Sequence, residues 1–404
     1  MNRVLATVGT NPVPVLAACR RLLDRLQPGE LVLLCSDDTL GQAEAILKAL
    51  TTAASFPTRP NHWRIVQVQN ATAPNDISTT VSSQFIAACA PGDSVHLHYT
   101  GGTKAMGQHA MKALAVALQN RLLVKVDDSY LDPTIHQVVD QNGLQMDPAV
   151  ADERRVWNLE VSDVARLHGL STEFHINRGG RVTFGAGGVR TKVHVPNPPG
   201  DPTAGWVAIA WALAAGLAGN RALANRIDPS NIRWNSRWPH MPDPRNCAAA
   251  GFQWPPNGGA WNDIPAMMNS FFGRSIWNAA GEFDPIVLDE VELESVLRLF
   301  AGEWLEIVAA DALRQALHHS RILTNYVVHG STHFARIAGA QTTTFELDLV
   351  ALLGYQLIVV SCSASADPKG IKRKGFEALH RAWQVGGQGA RVIVLGLQSR
   401  AEAE

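Results

Sequence analysis

The sequence predicts an α/β protein in two regular blocks joined by an irregular one. Three observations carry that prediction. Short apolar runs alternate with helix-length amphipathic stretches over the first 145 residues. A second ordered block, read as α-β-β-β-α-β, follows residue 285. Between them the periodicity weakens and Gly, Pro, Asn and Trp accumulate.

In the first block the strands read VLATVG, LVLLCS, WRIVQVQ, SVHLHYT and RLLVKVD, with helices near 13–27, 39–52, 77–90 and 103–119 between them. Continuous apolar strands with helical crossovers make a mostly parallel sheet covered on both faces. Residues 1–150 are therefore expected to form a Rossmann-like domain, in which ligands settle outside the carboxyl ends of the strands. Three of those ends carry polar, turn-forming residues: Gly9, Thr10, Asn11 and Pro12; Ser36, Asp37 and Asp38; and Thr100, Gly101, Gly102, Thr103 and Lys104. They are expected to converge on one crevice.

Residues 151–285 read as a linker or insert of unknown role. WNLEVSDVARLHGL (157–170) suggests a short helix, RGGRVTFGAGGVR (178–190) a glycine-rich hairpin, and VPNPPGDPTAG (195–205) a linker. The longest apolar stretch, WVAIAWALAAGLAG (206–219), falls short of the roughly 20 residues needed to span a bilayer and predicts a buried helix. The tryptophans gathered between 230 and 280 imply an ordered, loop-rich segment packed on something larger, because exposed tryptophan is costly. In the last block, 286–404, a long amphipathic helix is expected at about 290–319, strands at 321–329, 343–352 and 355–362, a helix at 370–385 and a strand at 390–397.

At 404 residues the chain is long enough for two or three domains with their own cores. A formal net charge of −1 excludes a broad basic coat, so any polyanion must be met in a local groove. The five cysteines show neither C-x-x-C nor paired spacing, which argues against a disulfide framework or a structural zinc site. MNRVLATVGT enters a strand-like run directly, without an export-signal pattern. A cytoplasmic protein with no membrane partner is expected.

Two clusters carry chemistry. In HYTGGTKAMG a strand hands over to a helix, so Gly101 and Gly102 sit where backbone amides point outward beside the positive end of a helix dipole. Thr100 and Thr103 can cap or donate, and Lys104 adds a positive charge. A phosphate-bearing ligand suits such a loop; a tight turn with an N-cap threonine is the plainer alternative. The second cluster is TTTFELDLVALLGYQLIVVSCSAS, where Glu346 and Asp348 project from one face of a strand. Adjacent carboxylates repel unless a cation lies between them. Glu303 and Glu306, one helical turn apart, offer further oxygens, and Lys369, Lys372, Arg373 and Lys374 open the following helix.

A first strand ending in ATVGTNP and a fourth ending in YTGGTKAM resemble the CARF domains that sense cyclic oligoadenylates in type III CRISPR defence. The resemblance covers roughly residues 1–150. It implies a homodimer whose paired crevices hold a ring of AMP units, with phosphates on the TGGTK loop and bases nearer Gly9–Asn11 and Ser36–Asp38. Cyclic tetra-adenylate matches a two-fold dimer best, with cyclic hexa-adenylate as the alternative. The series GEWLE, FELDLVAL and LIVVSC is similar to the restriction-endonuclease-like, PD-(D/E)xK half of the CARF-fused endonucleases often called Card or Can proteins, over about 290–398. That likeness implies hydrolysis of DNA or RNA phosphodiesters, with Asp348, Glu306 and Glu346 as the candidate ligands of Mg²⁺ or Mn²⁺ and a lysine orienting water. Family members commonly end the third strand with an acidic-x-Lys or Cys-Lys element, whereas this chain has Ser361-Cys362-Ser363. The lysine role passes to Lys372, which precedes Phe376, Leu379 and Trp383 on what reads as the inward helix face, or else to Lys374.

Two other readings compete. HEPN ribonucleases carry R-x4–6-H without metal, matched by Arg314 with His319 and Arg373 with His380, but they are all-helical. A ligand-controlled transcription regulator would use residues 151–190 as a winged helix.

Overall fold

Continuous apolar strands fold as the pattern requires. The computed structural model describes residues 1–52, 62–140, 142–150, 152–155, 159–172, 174–176, 182–184, 202–217, 234–235, 238–242, 263–277, 284, 287–319, 326–338, 341–363 and 368–396. Strands β1 (Asn2–Thr7), β2 (Glu30–Ser36), β3 (His62–Val68), β4 (Asp93–His98), β5 (Leu123–Asp132) and β6 (Gln137–Val139) form one sheet in the order β3-β2-β1-β4-β5-β6. The first five are parallel and β6 turns back on β5. Helices α1 (Pro12–Leu26), α2 (Leu40–Thr52), α3 (Pro74–Thr80) and α4 (Lys104–Gln119) make the crossovers. Side chains alternate between the faces: Val4, Ala6, Leu31 and Leu33 join the core with α1 and α2, while Leu5, Val32 and Leu34 join the one with α3 and α4.

The predicted helix at 77–90 is interrupted. After α3 the chain widens into a π turn at Val81–Phe85 and closes with a 3-10 turn at Ile86–Ala88. Ile77, Val81 and Phe85, at four-residue intervals, are all buried in one core, so the row still faces the sheet through the wider turn.

The irregular middle supplies α5 (Val161–Leu167), β7 (Leu170–Ser171), the antiparallel pair β8 (Phe174–Ile176) and β9 (Val182–Phe184), then α6 (Pro202–Leu217), the pair β10 (Trp234–Asn235) and β11 (Trp238–Pro242), and α7 (Asp263–Phe272). The hairpin predicted within 178–190 is thus built with an upstream partner strand, and the rest of that stretch lies outside the described residues, as does most of the tryptophan-rich segment and of the 195–205 linker. The apolar stretch at 206–219 forms a helix as far as it is described, buried on one face only: Trp206, Ile209, Ala210 and Leu213 of α6 are buried against Ile264 and Met268 of α7, while Trp211 is exposed. Among the described residues no helix is long and apolar enough to cross a membrane.

The helix predicted at 290–319 is two, α8 (Glu290–Arg298) and α9 (Trp304–His319), separated by a π turn at Leu299–Glu303. Gly302 adopts φ 133° there, a conformation open to glycine and strained for other residues. Strands β12 (Tyr326–Ala338), β13 (Gln341–Leu353) and β14 (Gln356–Ser363), helix α10 (Pro368–Gly386) and strand β15 (Arg391–Gly396) follow. The second sheet has the order β15-β14-β13-β12-β7, antiparallel except for the parallel β14/β15 pair. This sheet contradicts the all-helical HEPN alternative. One face is covered by α6 to α9; the other packs α5 and α10 into a core continuous with α1 and α2 of the first block. The middle segment is therefore part of the second layer's cover, and a single apolar core joins the two sheets.

The amino ends of the first sheet are closed by a buried ion network. Arg3 Nε lies 2.7 Å from Asp93 and its guanidinium also meets Glu30, which takes Arg64 Nε at 2.7 Å. At the opposite end two buried histidines share Ser129: His96 Nε2 lies 2.8 Å and His98 Nδ1 3.0 Å from its Oγ. Burial lowers the first to about 4 and the second to about 3, from an ordinary 6.5. Both are neutral in the fold, so the unfolded chain binds more protons once pH drops below 6.5. Stability is expected to hold above that pH and to fall between about 6.5 and about 3, by a few kcal/mol. Denaturant melts across that range check this; a flat profile refutes it.

Candidate functional site

The strand order reverses between β1 and β4, and the two glycine-bearing loops that follow these strands meet there, at the place where such sheets open a crevice. Their fit is close. A Cβ on Gly9 would stand 2.6 Å from the Gly102 nitrogen, and one on Gly101 would stand 2.5 Å from both the Thr7 carbonyl oxygen and Val15 Cγ2. Thr7 donates its hydroxyl hydrogen to the Gly101 carbonyl. Thr103 is the N-cap of α4, accepting from Met106 N at 3.1 Å while its hydroxyl donates to the Ala71 carbonyl at 2.6 Å. Thr100 Oγ1 accepts from Leu131 N at 2.6 Å. Both threonines thus hold the loop's shape.

Two pockets flank the loop. The larger, about 570 Å³, is lined by Gly9, Thr10, Asn11, Thr100, Gly101 and Gly102 as predicted. Its remaining wall was not read from the sequence: Tyr99, Tyr130 and His136 come from the first sheet, and Tyr355, Gln356, Gln388 and Arg391 from the second. Tyr99 and Tyr130 stack with ring centroids 5.7 Å apart. The smaller pocket, about 430 Å³, holds Thr103 and Lys104 with Asp128 and shares Tyr99, Thr100 and Gly102 with its neighbour. Lys104 therefore serves the other side of the loop from Gly9. Four predicted residues line neither pocket, exposed Asp38 among them. Pro12 is buried at the first position of α1, where its missing N–H is harmless. The Ser36 backbone N–H donates to Thr39 Oγ1 at 3.0 Å in a buried cap that turns its hydroxyl inward, and exposed Asp37 takes a hydrogen bond from Gln67.

The crevice is also a junction between the sheets. The β13–β14 turn is clamped by Arg154 donating to Gln356 Oε1 at 2.8 Å, and Tyr355 Oη lies 2.9 Å from His136 Nδ1. Gly354, at φ 60°, lies so near that a Cβ would stand 2.2 Å from the Arg154 carbonyl oxygen. Asn11 caps α1 and presses on Gly387, where a Cβ would stand 2.4 Å from Asn11 Cγ.

At the far end of β14 lies the carboxylate cluster. The β13/β14 ladder stops at Leu349 and Val360. One step on, Asp348 Oδ2 accepts from Cys362 N at 2.8 Å and from Ser361 Oγ at 3.2 Å, replacing the ladder. Lys374 Nζ of α10 lies 2.9 Å from the same oxygen and also donates to the Cys362 carbonyl. Glu306 enters from α9, just past the Gly302 break; burial, then the Asp348 and Glu303 charges, push its carboxyl up to about 8. Glu346 is exposed on β13 and adds a weaker repulsion to Glu306. Burial, then the charges of Glu306 and Asp348, raise the Cys362 thiol to about 12, so it is no nucleophile.

Of the two lysines named from the sequence, Lys374 is the one that lies at the Asp348 carboxylate. Phe376 and Trp383, taken as marking an inward face together with Lys372, are 64% and 49% exposed. The face that packs on the sheet is the one carrying Ala378, Ala382 and Val385. Lys372 is exposed and has no hydrogen bond or ion pair among the described residues.

Among the described residues no three His, Cys, Asp or Glu side chains are grouped to hold a metal ion. The cluster does offer two carboxyls, Glu306 and Asp348, close enough to repel. Mg²⁺ is commonly held by one or two carboxylates, with waters and substrate phosphate completing its shell. A proton on Glu306, or a cation in its place, is what lets the two sit together, so the donor set fits a hard divalent ion.

No protein-family model matches the chain, and no curated protein does. Solved structures share its fold. Protein VC1899 from Vibrio cholerae is 11% identical with a TM-score of 0.62, the match covering 98% of this chain and 89% of that one. Can2 from Sulfobacillus thermosulfidooxidans, solved in complex with cyclic tetra-adenylate, is 15% identical with a TM-score of 0.59 over 100% of this chain and 92% of that one. At these identities the likeness is one of fold.

Proposed function

We propose that this protein is a nuclease switched on by a cyclic oligoadenylate, a CARF-type sensor fused to a PD-(D/E)xK-type catalytic domain. The observation that carries the reading is the arrangement around Asp348: a carboxylate held by a strand amide at 2.8 Å and a lysine at 2.9 Å, beside a second, half-buried carboxyl. A simple surface ion pair has no use for the second acid. The sensor half is supported by the glycine-built crevice at the switch point and by the fold shared with Can2, whose structure holds cyclic tetra-adenylate. That ring, being two-fold symmetric, suits a homodimer of this chain.

Asp348 and Glu306, with Glu346 in reach of the same cluster, are the side chains that would hold Mg²⁺ or Mn²⁺. When bound, such an ion polarises the phosphate and lowers the pKa of the attacking water. The chain's own part is positioning. The Cys362 amide and Ser361 hydroxyl fix the Asp348 carboxylate, and Lys374 keeps a positive charge where the phosphate's negative charge grows during attack. DNA, RNA or both serve as substrate, since no element of the cluster offers base readout.

Lys374→Ala is expected to lower cleavage by at least about tenfold, and Lys372→Ala to leave it within about twofold. Plasmid and labelled RNA incubated with Mn²⁺ and each cyclic oligoadenylate in turn test the function and rank the two lysines. No cleavage under any of these conditions refutes the reading, and a greater loss from Lys372→Ala reverses the assignment.

A further inference from the structure

We propose that Arg391 binds the phosphate backbone of the crevice ligand, so that the C-terminal sheet is itself part of the ligand site. This deepens the reading above and rests on it. The lining of the 570 Å³ crevice contains no aspartate or glutamate, and Arg391 is the one formally charged side chain in it. Neighbouring arginines are neutralised: Arg21 lies 2.9 Å from Glu153 and Arg154 lies 2.7 Å from Asp152. Arg391 has no hydrogen bond or ion pair among the described residues. Its charge acts instead on His136 across the crevice, whose imidazole is held below its ordinary value by burial first and the charges of Arg154 and Arg391 after it.

The rest of the lining suits the same class of ligand. The stacked rings of Tyr99 and Tyr130 offer π faces to a base, and Gln356 and Gln388 offer amide donors and acceptors. A guanidinium among aromatic and amide groups, with no acid to satisfy it, is the complement of a nucleotide phosphate.

The placement has a mechanical consequence. Arg391 opens β15, paired to Ile358, and the strand runs about 16 Å to Gly396, paired to Ser363. There Val394 meets Gly375 and Gly396 meets Ile371, on either side of Lys374 in α10. A ligand that grips Arg391 therefore pulls on the strand against which the helix carrying the cluster's lysine is packed.

Calorimetric titration of the full-length chain with cyclic tetra-adenylate tests this. Arg391→Ala is expected to weaken binding by at least about tenfold, and Arg391→Lys, which keeps a charge but loses the planar fork, to recover part of it. Thermal melts should coincide with the wild type, since the side chain is exposed and unpaired. Binding by Arg391→Ala within about twofold of wild type overturns the assignment and leaves the functional reading standing. A wild-type chain that does not bind the ring overturns both.

Discussion

Replacing Asp348 with asparagine is expected to lower cleavage by at least about a hundredfold while leaving cyclic tetra-adenylate affinity unchanged. The substitution keeps an oxygen to accept from the Cys362 amide and so preserves the end of β14. It removes the charge that faces Lys374 and Glu306. Lys374 is 39% exposed, so losing its partner costs little folding stability, and the melting temperature should stay close to the wild type. Cleavage assays paired with ligand titration and melts check all three outcomes. Undiminished cutting by Asp348→Asn removes the cluster from the chemistry.

Gly101→Ala is expected to do the reverse. Its added methyl must occupy space within 2.5 Å of a β1 carbonyl oxygen and of Val15 in α1. Neither is the free end of a flexible side chain, so the loop must move, at a cost of about 1–3 kcal/mol. Displacing that loop moves the shared wall of both pockets. Ligand affinity should fall by at least about a hundredfold, or about 3 kcal/mol, with the melting temperature reduced by several degrees. Cleavage should vanish at ligand concentrations that saturate the wild type and return in part at higher ones. Unaltered affinity in a variant with a lowered melting temperature would place the ligand elsewhere.

The first sheet was legible because its central strands, β1 and β2 above all, are continuous apolar runs, a pattern that parallel strands buried on both faces cannot avoid. The helix over 77–90 is present but irregular: the chain stays helical from Pro74 to Ala88 while passing through a π turn and a 3-10 turn that a four-residue apolar spacing does not reveal. Gly302 was visible as a glycine inside a helical pattern, yet its break sets where Glu306 enters the cluster. The helix face expected to turn inward in α10 differs for a similar reason. Aromatic residues at helical spacing were taken as the buried stripe, whereas in α10 small residues pack and Phe376 and Trp383 face outward.

In the crevice, the glycine loops were readable from position alone, since the carboxyl ends of β1 and β4 must be neighbours in this strand order. Ser36 and Asp37 follow the same rule but lie at β2, one strand off the switch point, and Ser36 is turned inward by its bond to Thr39. Tyr130 was within reach of the rule, near the end of β5 beside Tyr99. Tyr355, Gln356 and Arg391 were not, because only the core shared by the two sheets brings residues more than two hundred positions away to the same opening.

The most direct measurement is cleavage of plasmid DNA and labelled RNA by the wild-type chain in Mn²⁺, with and without cyclic tetra-adenylate. The expected result is cutting that depends on the ring and disappears with EDTA. Equal cutting with and without the ring would contradict the switch at its root.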